Sequence, residues 1–215
     1  MRAYVITIMN NDDSVAAAKR CIESGQKYGL DIEMYPAFTP EDNPRKMMEN
    51  MGMHPTAFDE KYSRPENAMA AFLSHRALWE SAAASGETHI IFEHDAVLLD
   101  EFPMTPFNSV INYGAPSYGK FTQPRHFGVG PLTTKPYFPG AHAYGVRTQA
   151  AKVLLQQAMI NPMPTDIFLN TKTFPWLEEY YPFVAEARDS FTTIQNVNGC
   201  IAKHNYSDKF RIIDA

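Results

Sequence analysis

The sequence is short of cysteine, of long apolar runs and of positive charge, and each shortage narrows what the chain can be. Two cysteines occur in 215 residues, Cys21 and Cys200, far apart and in no metal-type spacing. They point to a reduced, intracellular protein with two packed thiols. No stretch approaches the roughly 18 consecutive apolar residues of a membrane span. The N-terminus also lacks a secretory pattern: Arg2 precedes a short apolar run, Ala3 to Met9, that breaks into Asn10-Asn11-Asp12-Asp13 without a small-residue cleavage site. A cytoplasmic location is expected. The formal net charge of −5 counts against gripping duplex nucleic acid through its phosphates, although it leaves room for a local basic patch.

What is present is the balance of an ordinary globular protein, 45% apolar and 20% charged. The length suits one α/β domain over residues 1–215 and is short for two. Ala3 to Met9 reads as a buried first strand, and a helix capped by Asp13 or Ser14 follows to about Gly29. Asp31 to Tyr35 is a second strand, and this strand–helix–strand opening favours a parallel sheet. Residues 40–62, rich in Pro, Met and charge, read as a short helix inside a mobile loop. Ser63-Arg-Pro-Glu66 has capping-box spacing and starts a helix to about Ala84, with Ala68, Phe72, His75 and Trp79 on one face. Gly86 ends it, and the strand Thr88 to Phe92 leads directly into Glu93-His94-Asp95. From Pro103 to Pro139 the density of Pro, Gly, Tyr and Phe predicts irregular structure over a binding face. A strand over Ala141 to Val146, a helix capped by Thr148 and a possible strand over Phe183 to Ala187 complete the outline.

Chemistry concentrates at Glu93-x-Asp95. If extended geometry continues beyond the strand, period two puts both carboxylates on one side and His94 on the other. Open parallel sheets bind ligands beyond the carboxyl ends of their strands, and two hard oxygen donors there suit Mg²⁺ or Mn²⁺ bridging phosphate oxygens. Two solvated acids at a strand end fit the spacing equally well. Asp166, after Pro164 and near a helix start, serves either as a base for an attacking hydroxyl or as a first-turn acid answering the helix dipole. Glu178 and Glu179 are rival bases. His75 sits on an apolar helix face, where a satisfied core histidine is the plainer assignment. His204, in a polar tail, is either exposed or a ligand, and Arg20 is either an exposed helix residue or a diphosphate contact. The aromatics Tyr113, Tyr118, Phe121, Phe127, Tyr137 and Phe138 offer stacking for sugars or bases, or else pack their own loop. Lys120, Arg125, His126 and Lys135 interleave with them.

The N-terminal strand, Ala71-Phe-Leu-Ser-His-Arg-Ala-Leu-Trp79 and Ile90-Ile-Phe-Glu-His-Asp-Ala96 together resemble glycosyltransferase family 25, the lipooligosaccharide-biosynthesis type related to collagen galactosyltransferases. Pro139-Gly-Ala-His-Ala-Tyr-Gly-Val146, the helix after it and Pro164-Thr-Asp-Ile-Phe168 look like that family's later motifs in the right order, so the resemblance runs from residue 3 to about residue 170. It implies a GT-A-like α/β fold, with a mostly parallel, Rossmann-like central sheet flanked by helices. It also implies a metal-dependent, inverting hexosyl transfer from a nucleotide-sugar, a UDP-sugar being the first choice, to a hydroxyl on a glycan, lipid-linked sugar or lipooligosaccharide. On this resemblance Glu93 and Asp95 hold Mn²⁺ or Mg²⁺; His204, beyond the resembling stretch, is a candidate to complete the metal shell or meet a phosphate. The resemblance places Ser74-His75 in a motif with a donor-side role and Asp166 in the site as base or acceptor contact. Thr7, Arg20 and His94 are further donor-side candidates, and Glu178, outside the resembling stretch, is a rival base. His142 and Tyr144 flank the acceptor cleft. The family's acidic motif usually reads Glu-Asp-Asp, so His94 is a departure. Two other activities fit the same residues: transfer to hydroxymethylated bases in DNA, and sugar binding without catalysis.

Overall fold

The two-sided burial of the first strand sets the architecture. In β1 (Arg2–Thr7), Ala3 and Val5 face one core while Tyr4 and Ile6 face another, so the strand is covered on both sides. The computed structural model describes residues 1–59, 64–117, 120–138, 140–188, 191–194 and 211–212. Helix α1 (Asp12–Lys27) crosses to β2 (Ile32–Pro36), which pairs parallel to β1. The cap of α1 is Asn11, whose side chain accepts the Ser14 N–H, rather than Asp13 or Ser14.

Residues 40–59 are ordered structure instead of a mobile loop. A 3₁₀ turn (Pro40–Asp42), α2 (Pro44–Asn50) and α3 (Thr56–Asp59) bury Met48, Met53 and Phe58 completely or nearly so. Arg45 bonds Asp59 at 2.6 Å and Glu66 at 2.8 Å. Half-exposed ion pairs contribute little, about 0–1 kcal/mol, so the three apolar anchors fix this segment.

Helix α4 (Pro65–Ser85) is the central helix, buried on more than the one expected stripe because α2, α3, α5 and the sheet surround it. Gly86 ends it in the left-handed region, φ 75°. Ser63 of the expected capping box lies outside the described residues. Then come β3 (His89–Glu93), β4 (Ala96–Leu98), β5 (Val110–Asn112), β6 (Gly128–Pro131) and β7 (Ala143–Val146). Helix α5 (Thr148–Ile160) packs on α4, with Arg147 rather than Thr148 at its cap position. The chain continues through α6 (Thr165–Phe168), β8 (Glu178–Tyr181), β9 (Ala185–Ala187), β10 (Phe191–Thr192) and β11 (Arg211–Ile212).

The central sheet has the order β2-β1-β3-β7-β5-β8-β6. β2, β1, β3, β5 and β8 run one way, and β7 and β6 run the other. This is the α/β, mostly parallel sheet flanked by helices that the sequence led us to expect. Strands β5, β6 and β8 were not anticipated. They are three or four residues long, and β6 tolerates Pro131 because it is an edge strand. β4 and β9 form a separate antiparallel pair, and β10 and β11 a parallel one.

Gly25 shows how tightly α1 seats on the sheet. A Cβ there would fall 2.5 Å from Ile32 Cδ1 and 2.7 Å from the Leu30 carbonyl oxygen. Helix propensity alone favours Gly25→Ala by about 1 kcal/mol, but overpacking against backbone costs about 1–3 kcal/mol. The substitution is expected to lower the urea midpoint; a raised midpoint would show that the helix shifts freely.

Candidate active site

A cavity of about 210 Å³ opens at the carboxyl ends of β1 and β3 and beside the start of β7. Open parallel sheets place ligands at this end. Its walls come from Ile6 and Ile8 at the end of β1, Ala37 and Phe38 after β2, one side of α4, the β3–β4 turn, Gly140 to His142 before β7, Pro164 to Asp166, and Phe191 to Ile194. Glu93, His94, Asp95, Ser74, His75, His142 and Asp166 all line it, although they are scattered over more than 90 residues of sequence.

Glu93 ends β3, and its backbone N–H donates to the His142 carbonyl at 3.0 Å. Its side chain is 37% exposed, and Oε1 lies 3.1 Å from His75 Nε2. His75 is buried on α4, and its Nδ1 is 2.9 Å from the Tyr144 hydroxyl, which also accepts the Trp79 indole N–H at 2.8 Å. One proton arrangement matches every donor to an acceptor. Trp79 donates to Tyr144, Tyr144 to His75 Nδ1, and the neutral imidazole donates through Nε2 to Glu93. A doubly protonated His75 would leave the Tyr144 proton without a place in this chain. Burial pushes the Glu93 carboxyl up, but the hydrogen bond donated by His75 leads the interactions that outweigh it and hold the group below the usual carboxylate range. The core-histidine assignment of His75 is met, since both ring nitrogens have partners in the interior, and the residue also lines the cavity.

The chain does not stay extended past Glu93. His94 and Asp95 form a turn, so strand periodicity stops. His94 turns to the start of α1, where its Nδ1 is 2.8 Å from Ser14 Oγ, and its ring packs on Phe191 with centroids 5.2 Å apart. Ser14 Oγ also accepts the Ile8 N–H at 2.9 Å, so His94 pins the β3–β4 turn to the loop after β1. Asp95 lies toward α1 as well. Burial, then the Asp95 carboxylate, push the Cys21 thiol up to about 12, with Arg20 opposing. Cys21 is a buried free thiol, and Cys200 lies outside the described residues.

Asp166 joins the cavity from the first turn of α6, with Oδ1 accepting the Ile167 N–H at 2.9 Å. Its carboxylate also acts on Lys135, whose ammonium is lowered by burial and partly restored by Asp166. Ser74 lines the cavity, but its hydroxyl is occupied, donating to the Ala70 carbonyl and accepting the Phe38 N–H, both at 2.9 Å.

Several expected residues lie elsewhere. Thr7 is fully buried and donates to the Val5 carbonyl at 3.0 Å, while its neighbours Ile6 and Ile8 form the wall. Arg20 sits on α1 near Cys21, outside the cavity lining. Glu178 is a strut: it accepts the Asn108 and Ser109 N–H groups at 2.8 and 3.0 Å, and both of those side chains as well. Glu179, fully buried, accepts from Thr133 and Thr134. Neither glutamate reaches the cavity. Of the described residues between 103 and 138 only Ser117 lines it; Tyr113 and Phe138 are core, and Phe127 is 82% exposed. His204 and Tyr118 lie outside the described residues. Among the described residues no group of three or more His, Cys, Asp or Glu is arranged to hold a metal ion. No helix among them is long and apolar enough to cross a membrane.

Two lining residues carry no sequence signal as ligand contacts, Asn67 and Thr165. They are 8% and 7% exposed, and Asn67 Nδ2 and Thr165 Oγ1 lack hydrogen-bond partners. His142 is 2% exposed, and burial pushes its imidazole down to about 4, against the opposing fields of Glu93 and Glu186. Its ring is slotted between two glycines: a Cβ at Gly114 would fall 2.3 Å from Nε2, and one at Gly140 would fall 2.6 Å from Nδ1.

His142 generates a pH dependence of stability. Between its ordinary value of 6.5 and about 4 the unfolded chain takes up a proton that the folded chain refuses. The contribution is complete above pH 6.5 and is lost as pH falls toward 4, to the extent of about 3 kcal/mol. Glu93 adds a further loss at lower pH, as its depressed carboxyl is protonated. Urea unfolding at pH 7, 5.5 and 4 is expected to fall more steeply for the wild type than for His142→Gln. Parallel slopes would remove His142 as the cause.

No family model matches the sequence, and a search of curated proteins finds no match. Solved structures similar to this chain include a CTP:phosphocholine cytidylyltransferase from Streptococcus pneumoniae. That structure is 9% identical in sequence, with 87% of this chain and 92% of that chain covered and a TM-score of 0.40. A likeness of that size assigns no chemistry to this chain.

Proposed function

We propose that the protein is a glycosyltransferase that takes a hexose from a nucleotide-sugar, with Glu93 and Asp95 on the donor side and Asp166 at the acceptor. The observation that carries this reading is convergence. Ser74-His75, Glu93-His94-Asp95, His142 and Asp166, drawn from separate segments that resemble one family, line a single cavity at the carboxyl ends of parallel strands.

The charge of the cavity supports metal dependence. Three carboxylates line it, and no Lys or Arg does so among the described residues. A diphosphate entering it meets like charge, so a divalent ion is needed between them. Mg²⁺ and Mn²⁺ sites of this kind use one or two carboxylates and complete the shell with substrate phosphates and water. Glu93 and Asp95 would hold that ion, which when bound neutralises charge on the diphosphate leaving group. The chain's own residues do the rest. His75 fixes the Glu93 carboxylate from below and keeps it ionised. Asp166 takes the proton of the acceptor hydroxyl as its oxygen bonds to the anomeric carbon, and the bond from that carbon to the diphosphate oxygen breaks on the opposite face. The outcome is inversion, and a UDP-hexose with a glycan or lipid-linked acceptor is the substrate pair this reading favours.

Transfer and donor hydrolysis assayed across UDP-, GDP- and CMP-sugars with Mn²⁺ test the reading. Chelator and Asp95→Ala should each abolish turnover, and undiminished activity after either would sink the metal role. Asp166→Asn is expected to lower kcat by about 10²–10⁴-fold with little change in donor KM. A kcat near wild type would remove Asp166 as the base.

A further inference from the structure

Native proteins rarely bury a polar side-chain atom without a partner, because the lost hydration costs about 1–3 kcal/mol. Asn67, in the first turn of α4, and Thr165, at the start of α6, both do so while lining the same cavity. The two elements meet through apolar packing that fixes their separation. Phe72 packs on Phe168 with ring centroids 5.5 Å apart, and Trp79 on Phe168 at 5.4 Å.

We propose that Asn67 and Thr165 form a subsite for the hydroxyl groups of a sugar ring, beside Asp166. The inference rests on the glycosyl-transfer reading for its setting and adds the residues that would recognise the sugar itself. The chemistry of the wall selects the ligand class. Asn67 offers an amide donor, Thr165 a hydroxyl that both donates and accepts, and Asp166 a carboxylate that accepts. Sugar hydroxyls, each a donor and an acceptor, match this mixture. An anionic ligand group does not, since the described lining holds three acids and neither Lys nor Arg. A site that hydrogen-bonds a hydroxyl discriminates strongly against analogues lacking it, because its own polar groups are then left unpaired.

The test uses the full chain and the near-isosteric replacements Asn67→Leu and Thr165→Val. Calorimetric titrations with UDP, UDP-glucose, UDP-galactose and the methyl glycosides of glucose and galactose, all with Mn²⁺ present, give the affinities; thermal unfolding gives stability. Each variant is expected to keep or raise its Tm, since an unsatisfied polar atom is removed, and to lose about tenfold in sugar affinity. Loss confined to UDP-hexoses with UDP unchanged assigns the subsite to the transferred sugar. Loss confined to the methyl glycosides assigns it to the acceptor. Equal weakening of UDP itself overturns the assignment to a sugar, and so do unchanged affinities throughout, whatever the Tm. If the wild type binds methyl glycosides but no nucleotide-sugar, and the variants weaken that binding, the glycosyl-transfer reading fails and the subsite stands. A wild type that binds none of these ligands overturns both.

Discussion

The hydrogen bond between His75 and Glu93 is the constraint on which the site depends. Partial burial makes the Glu93 carboxylate costlier to ionise than one in water, and the imidazole beneath it tips the balance toward the charged form. That imidazole is itself held by Tyr144 on β7, and Tyr144 by Trp79 on α4, so the chain of bonds returns to the helix it started from. Helix α4, β3 and β7 are tied into one unit whose polar end opens into the cavity. Networks of this kind are worth more satisfied than in parts, because removing any member leaves the others buried without partners.

The contrast among the acids follows from their partners rather than from their residue type. Glu178 and Glu179 stand on an interior strand of the sheet and spend their oxygens on backbone and hydroxyl donors from neighbouring loops. They do what a short, weakly patterned strand needs, fixing chain ends that carry little regular pairing of their own. Glu93, Asp95 and Asp166 instead stand at the ends of regular elements, among the residues that line the cavity. The same residue type braces the architecture in one place and lines a cavity in the other.

Much of this was readable from the sequence. The β1–α1–β2 opening, α4 and β3 announced themselves through length, periodicity and end signals, and these elements carry Ser74-His75 and Glu93-His94-Asp95. The other half of the sheet was not readable, because β5, β6 and β8 are too short to show alternation and exist through pairing with distant partners. Local pattern failed again at His94. A strand rule cannot know that Ser14, 80 residues earlier, will draw the ring toward α1 and end the extension. The aromatic stretch stayed open between two readings for a related reason. Composition reports stacking surfaces, but only tertiary packing decides that Tyr113 and Phe138 serve the core. Asn67 had no signal and Thr165 none beyond its place beside Asp166 in a family-like segment, since what singles them out is the absence of a partner.

The glycine slot around His142 ties three distant positions into one unit of evolutionary change. With the imidazole in place, neither residue 114 nor residue 140 has room for a side chain, and Gly140 at φ 133° has a backbone that disfavours one in any case. If the ring were exchanged for something small, position 114 would lose its steric reason to remain glycine while position 140 would keep a conformational one. Homologues lacking His142 should therefore drift at position 114 first, and pairwise covariation of 114 with 142 should exceed that of 140 with 142.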